Sequence, residues 1–97
     1  MNKSDALKLL IDSRGKIDQI DDEIINLIIK RTSLAKDIAT AKLVLGKDIH
    51  DSKREVYIQD KIKTLAKKKN INEVSLTNIM NILTDLNKNE QEKIFRR

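Results

Sequence analysis

An apolar pattern with a period of seven residues runs through the first half of the chain and constrains its fold more than any other feature. We call this pattern the apolar seam; its members are Ala6, Leu10, Ile17, Ile20, Ile24, Leu27, Leu34, Ile38, Ala41 and Leu45. The spacing predicts one amphipathic helix over residues 4–45, about 60 Å long. Because the rest of the chain is too short to cover such a helix, the seam predicts a second copy packed against it as a two-fold homodimer.

Three cationic residues interrupt or border the apolar seam. Arg31 occupies a position where leucine or isoleucine is expected, and Arg14 and Lys42 lie on the adjacent stripe. Taken one at a time, such side chains usually bury their stems and keep their charged heads in water. If two of these helices run antiparallel about their midpoints, however, Arg14 falls near Ala35 of the partner. The pattern therefore predicts that Arg14 meets the partner's Arg31 and Lys42, twice in the dimer.

The composition favours an all-α chain. There is no proline and there are only two glycines, which leaves little turn chemistry for a sheet. Charged residues make up 36% of the sequence, as suits helices with broad solvated faces. We predict one domain, residues 1–97, built from three helices of which one is very long. The predicted helices cover residues 4–45, 51–69 and 72–95.

The net charge of +5 suits an anionic partner, which could be a small polycarboxylate, a nucleic acid or a membrane surface. Binding of single-stranded nucleic acid normally uses aromatic side chains, and only Tyr57 and Phe95 are available. With no cysteine and with His50 as the lone histidine, neither a disulfide nor a metal centre is expected. No apolar run is long enough for a signal peptide or a membrane span, so we expect a cytoplasmic protein.

The ends of the long helix can be read from capping residues. Ser4 or Asp5 can cap its start, and Gly46 can end it in a left-handed conformation. Gly15 is the weak point, because glycine inside a helix costs about 1 kcal/mol relative to alanine. A start near Ser13 is therefore an alternative, although apolar residues upstream favour the longer helix.

The second and third helices also carry start signals. The second should begin at Asp51 or Ser52, and Ser52 with Glu55 has the spacing of a capping box. Asn72 or Ser75 can cap the third helix. A structural role as a capping residue is thus the simplest explanation of Glu55.

Two neutral amides continue the apolar stripe of the third helix. Asn87 and Gln91 lie one turn apart on the face that should point inward. Each must find hydrogen-bond partners there, either in the protein or in a ligand. Together with the cations of the first helix, they predict a polar pocket.

The order and spacing of these residues are similar to those of the all-helical chorismate mutases, over nearly the whole chain. The motifs are R-x-x-I-D-x-I-D from Arg14 to Asp21, an arginine followed by L-A from Arg31 to Ala35, A-K at Ala41 and Lys42, and I-x-D-x-x-R-E from Ile49 to Glu55. The resemblance implies an intertwined antiparallel helical dimer and a free-standing enzyme. It also implies the Claisen rearrangement of chorismate to prephenate in phenylalanine and tyrosine biosynthesis, without a cofactor, a metal or a covalent intermediate.

The same resemblance implies catalytic roles for four residues. Lys42 and Gln91 would donate hydrogen bonds to the ether oxygen, where negative charge builds as the C–O bond breaks. Arg31 would bind a substrate carboxylate, since a guanidinium matches a carboxylate with two parallel hydrogen bonds. Glu55 would accept a hydrogen bond from the ring hydroxyl.

Four further residues would bind substrate. Arg14 of the partner would bind a carboxylate across the dimer interface, and Arg54 would orient the site from the second helix. The backbone near Asp51 would assist Glu55. Asn87 stands where relatives often carry a small hydroxyl residue, and it would contact a carboxylate. The segment after Gly46 also lacks the proline that many relatives have.

Two other functions use similar features. A lyase of the same fold removes pyruvate from isochorismate with a similar cationic pocket, and an assay of both substrates distinguishes the two enzymes. A basic helical dimer that binds nucleic acid would instead spread its cations over an exposed face. The position of Arg31 on the apolar seam favours the mutase over nucleic-acid binding, whereas only the closeness of the sequence motifs favours it over the lyase.

Overall fold

The computed structural model describes all 97 residues, and its regular secondary structure is entirely helical. The helices are α1 (Lys3–Ser33), α2 (Ala35–Leu45), α3 (Ser52–Lys69) and α4 (Glu73–Phe95). The predicted all-α class is therefore confirmed. The predicted helices over 51–69 and 72–95 correspond to α3 and α4, and the predicted helix over 4–45 corresponds to α1 and α2 together.

The long helix is bent at Leu34, which the sequence pattern did not predict. Leu34 keeps helical dihedral angles, with φ −69° and ψ −15°. Its N–H donates to the carbonyl of Arg31, three residues back, at 3.3 Å, whereas a regular α-helix bonds four residues back. The side chain of Asn87, from α4, also donates to this Arg31 carbonyl. A side chain that enters the backbone ladder is a recognised cause of a helix kink.

At its other end the long helix starts earlier than either prediction. The side chain of Asn2 accepts a hydrogen bond from the N–H of Asp5 at 2.8 Å, so Asn2 caps α1, and Ser4 and Asp5 do not. The helix runs without a break through Gly15, and a start near Ser13 is therefore wrong. The helix continues because a single glycine costs only about 1 kcal/mol.

The remaining ends follow ordinary capping chemistry. Gly46 ends α2 with φ 67°, as predicted, and Asn72 caps α4 through a 2.9 Å bond from the N–H of Ser75. Asp51 caps α3, which makes Ser52 its first helical residue. The capping box with Ser52 at its start is consequently wrong, and capping does not explain Glu55.

The chain divides into two compact units, residues 1–30 and residues 31–97. In the second unit α2 and α3 both pack against α4. Ala35 and Ala39, one turn apart on α2, are fully buried, and their small side chains let α2 approach α4 closely. Ile62 and Ala66 of α3 complete the apolar core. That residues 1–97 form one domain stays a prediction.

The apolar seam is exposed to solvent in the single chain. Helix α1 has no buried residue, and seam members such as Ile17 and Leu27 are 54% and 62% exposed. On α2, Ile38 and Leu45 are also exposed, because α2 buries its alanine face instead. None of the helices is long and apolar enough to cross a membrane.

Candidate functional site

Six of the eight predicted site residues line one cavity of about 430 Å³ within residues 31–97. Its polar lining consists of Arg31, Lys42, Asp51, Arg54, Asn87 and Gln91, and its apolar walls are Leu34, Ile38 and Ile58. We call this space the cationic cavity. It has the volume and the mixed lining of a site for a small molecule.

Each helix brings a different group to the cationic cavity. Arg31 precedes the bend at Leu34 and comes from the last turn of α1. Lys42 lies three and seven residues after the buried Ala39 and Ala35, so it shares their face of α2 and points toward α4. The packing of Ala35 and Ala39 on α4 therefore places the Lys42 ammonium beside polar residues of α4.

A directional chain of hydrogen bonds joins the amides to the cation. The ammonium of Lys42 donates to Oε1 of Gln91 at 2.9 Å, and Nε2 of Gln91 donates to Oδ1 of Asn87 at 2.6 Å. Nδ2 of Asn87 then donates to the carbonyl of Arg31 at 3.3 Å. Lysine can only donate, so it fixes which end of each amide accepts. Gln91 is only 5% exposed, and this chain satisfies it.

Lys42 also holds the connection between α2 and α3. Its ammonium donates to the carbonyl of Ile49 at 2.6 Å. The segment after Gly46 is thus fixed to the cavity by a hydrogen bond. An ammonium has three N–H donors, and two are used here, so one remains for a ligand.

The two arginines of the cavity are held by different contacts. Nη1 of Arg31 donates to the carbonyl of Leu83 at 2.9 Å, which leaves the other guanidinium donors for an anion. The guanidinium of Arg54 lies over the ring of Tyr57, 4.9 Å from its centroid. Such a cation–π contact restrains the arginine without using its hydrogen bonds. Tyr57 is not among the site residues predicted from the sequence.

The side chain of Asp51 serves the backbone rather than the cavity. Its Oδ1 accepts a hydrogen bond from the N–H of Arg54 at 3.1 Å and so caps α3. This cap fixes the first turn of α3, from which Arg54 reaches the cavity.

Glu55 does not line the cationic cavity. It lines a neighbouring groove between α3 and α4 with Ser52, Val56, Ile58, Gln59, Asn81 and Thr84. Its Oε1 forms an ion pair with the ammonium of Lys88 and lies 3.5 Å from Nδ1 of His50. The hydrogen bond from Lys88 lowers the pKa of the Glu55 carboxyl, although burial acts in the opposite direction. Lys88 was missed because a charged residue on α4 reads as a solvated side chain.

Arg14, the eighth predicted residue, belongs to the other compact unit. It lies on α1 among residues 1–30, and its side chain is exposed.

As for metals, the structure contains no group of three or more histidine, cysteine, aspartate or glutamate side chains that could hold an ion. The cavity is chemically suited to an anion with several oxygens, since three of its side chains are cations and two are amides.

Comparison with known proteins identifies the family. Residues 13–92 match the family model described as chorismate mutase type II. A chorismate mutase from Methanocaldococcus jannaschii is 44% identical over 87 residues, which cover 90% of this chain and 88% of that protein. A bifunctional chorismate mutase/prephenate dehydratase from Buchnera aphidicola subsp. Schizaphis graminum is 30% identical over 91% of this chain and 23% of its own length. The chain belongs to the chorismate mutase type II family.

Proposed function

We propose that this enzyme of the chorismate mutase family converts chorismate to prephenate in the cationic cavity of residues 31–97. The observation that carries the proposal is the contact between Lys42 and Gln91, which places two polar donors side by side in a cavity that also holds two arginines. The comparisons name chorismate mutase, and they give no support to the pyruvate lyase or to nucleic-acid binding.

The reaction sets a clear requirement for the cavity. Within one substrate molecule a C–O bond breaks while a C–C bond forms, and no proton has to be transferred. The protein therefore has to hold the substrate in its compact conformation and stabilise negative charge at the ether oxygen. A donor aimed at such a developing charge is typically worth about 3 kcal/mol of the barrier.

Lys42 and Gln91 are the proposed donors to the ether oxygen. Each is already held by protein contacts, and each keeps a spare N–H. Lys42 uses two of its three donors, and Gln91 uses one of its two. Donors that are fixed before the substrate arrives need no reorganisation in the transition state. The ammonium additionally supplies a full positive charge.

Arg31 and Arg54 are the proposed partners of the substrate carboxylates, together with Arg14 of the partner subunit. For Asn87 we propose a different role from direct carboxylate binding. Its amide accepts from Gln91 and donates to the carbonyl of Arg31, so it links one proposed donor to the turn that carries an arginine. Asn87 thereby orients both groups, and one of its two amide N–H groups is not used in these contacts.

Glu55 is the proposed acceptor for the ring hydroxyl. Both of its contacts use Oε1, which leaves Oε2 able to accept a hydrogen bond. Its neighbour Arg54 and its helix cap Asp51 both line the cavity. With Oε1 held by Lys88 in the neighbouring groove, Oε2 is the oxygen that would accept the hydroxyl.

A homodimer is the proposed working form. The exposed apolar seam on α1 supports this, because a long apolar stripe without cover marks an interaction surface. An antiparallel arrangement would bring Arg14 to the partner's cavity. A location in the cytoplasm stays a prediction.

The test is an assay of the purified protein with chorismate, following loss of chorismate and formation of prephenate. Arg31→Met and Lys42→Met keep most of the side-chain volume and remove the charge, and each should lower kcat/KM by about a hundredfold or more. Lys36→Met, on the exposed face of α2, is the matched control and should retain activity. Conversion of isochorismate to pyruvate without turnover of chorismate would contradict the proposal, as would full activity of both cavity variants.

A further inference from the structure

A fourth cation, Lys88, lies beside the site without lining the cavity. It follows Asn87 on α4, and its ammonium forms an ion pair with Oε1 of Glu55, which belongs to α3. The pair therefore joins two helices that both contribute to the cationic cavity. The two side chains are 31% and 35% exposed, so water reaches the pair only in part.

We propose that Lys88 is a positioning residue for the rearrangement, which holds Oε1 of the Glu55 carboxylate so that the free Oε2 can accept the ring hydroxyl of chorismate. The proposal rests on the proposed role of Glu55. Lys88 itself would not touch the substrate. Its contribution would act entirely through the carboxylate that it contacts.

Geometry supports this role in two ways. Each member of the pair is the direct neighbour in sequence of a residue that lines the cavity, since Glu55 follows Arg54 and Lys88 follows Asn87. In addition, the contact occupies Oε1 and leaves Oε2 free of that ion pair. An ordinary surface ion pair between long side chains has no such relation to a site and contributes little.

The charges that face Glu55 come from three elements. Lys88 of α4 makes the hydrogen bond, His50 of the preceding connection lies 3.5 Å away, and Asp51 is the like charge at the start of α3. The hydrogen bond with Lys88 is the largest influence on the pKa of Glu55 and lowers it. Removing the Lys88 ammonium should therefore raise that pKa and let Glu55 take up a proton at a higher pH.

The experiment is the pH profile of kcat/KM for the intact protein with chorismate. If Glu55 acts as a carboxylate, activity falls as the pH drops through its pKa. Lys88→Met should move this acidic fall in activity, the acidic limb of the profile, to higher pH. Within the pH range of the fall, kcat/KM of the variant should be lower than that of the wild type by about twofold or more. Twofold corresponds to the lower end of measured coupling energies between contacting residues. Lys88→Arg should keep the wild-type limb, because it retains the charge.

Glu55→Gln and the double variant complete the test. Glu55→Gln should lower kcat/KM and remove the limb, and adding Lys88→Met to it should have no further effect. Lys93→Met breaks a more exposed ion pair within α4, with Glu90, and should leave the profile unchanged. Changes in unfolding free energy alone, without a shift of the limb, would show a merely structural role and overturn the proposal.

The kinetics of Glu55→Gln and Lys88→Met together separate the role of Lys88 from the role of Glu55. If Glu55→Gln is impaired while Lys88→Met has the wild-type profile, Glu55 keeps its role and Lys88 loses the one proposed. If Glu55→Gln has wild-type kcat/KM and profile, the roles of both residues are wrong. The rearrangement in the cationic cavity is judged separately, by Lys42→Met.

Discussion

Gln91 shows how a single buried amide can connect the proposed catalytic groups of this chain. It accepts from Lys42 and donates to Asn87, and it is the most buried polar residue of the structure. A neutral amide is suited to this position because it can accept from a cation and still offer a donor to an oxygen with developing negative charge. A carboxylate could accept in the same place but could not donate.

Changing Gln91 to glutamate should make the activity depend on pH. Near neutral pH the introduced carboxyl is ionised, pairs with Lys42 and repels charge on the ether oxygen, so Gln91→Glu should lose most activity. As the pH falls the carboxyl takes up a proton and becomes a donor, and kcat should rise. The profile of kcat between mildly acidic and neutral pH tests this. A variant whose kcat falls with decreasing pH would contradict the donor role of Gln91.

The sequence predicts which types of side chain form the site better than it predicts the contacts between them. Arg31 could be picked out because it interrupts the apolar seam, and Asn87 and Gln91 because they continue an apolar stripe. Arg54 was identified only through the family motif. Lys88 breaks no pattern, and its pairing with Glu55 spans 33 residues, so only the packing of α3 on α4 reveals it. Tyr57 was missed for a similar reason, since its contact with Arg54 depends on side-chain conformation.

At the scale of helices, the cavity depends on how α2 meets α4. The seam predicted Leu34 and Ile38 as the important face of α2, yet the face buried within the chain carries Ala35 and Ala39. Alanines give almost no hydrophobic signal in a sequence, although they permit the closest approach of two helices. The bend at Leu34 was unpredictable too, because it coincides with a hydrogen bond from Asn87 on a helix more than fifty residues later.

Asn87 should therefore support both the fold and the activity. Asn87→Leu removes the donor to the Arg31 carbonyl and leaves Nε2 of Gln91 without its acceptor, which should cost about 1–3 kcal/mol of unfolding free energy. We expect kcat/KM to fall as well, because Gln91 and Arg31 lose their shared support. Urea unfolding and steady-state kinetics measure the two effects.

A matched asparagine lies on the same helix. Asn81 is exposed on α4 and makes only a long contact of 3.5 Å with Gln59, so Asn81→Leu should change stability and kcat/KM little. If the variants at positions 81 and 87 behave alike, the hydrogen-bond chain does not organise the cavity.

The exposed apolar stripe of residues 1–30 indicates that this part of the chain packs against a partner. This unit is a single amphipathic stretch of α1 with no buried residue, so nothing within it covers its isoleucines and leucines. A helix with such a stripe normally gains its stability from packing rather than from its own propensity. A second copy of the chain would supply that packing, and stability would then depend on protein concentration.

Mixing two inactive variants tests the shared site that this dimer would create. Arg14→Ala and Arg31→Ala should each lose most activity as homodimers. After joint unfolding and refolding, random pairing makes about half of the dimers mixed. Each mixed dimer has one site with both arginines and one site with neither, so about a quarter of wild-type activity should return at equal total protein.

Formation of mixed dimers is verified independently by mass spectrometry, with a mass tag on one variant. Recovery of about a quarter of the activity, in proportion to the mixed species, is the result that the shared site predicts. If mixed dimers form and activity stays at the level of the parent variants, Arg14 does not complete the partner's cavity.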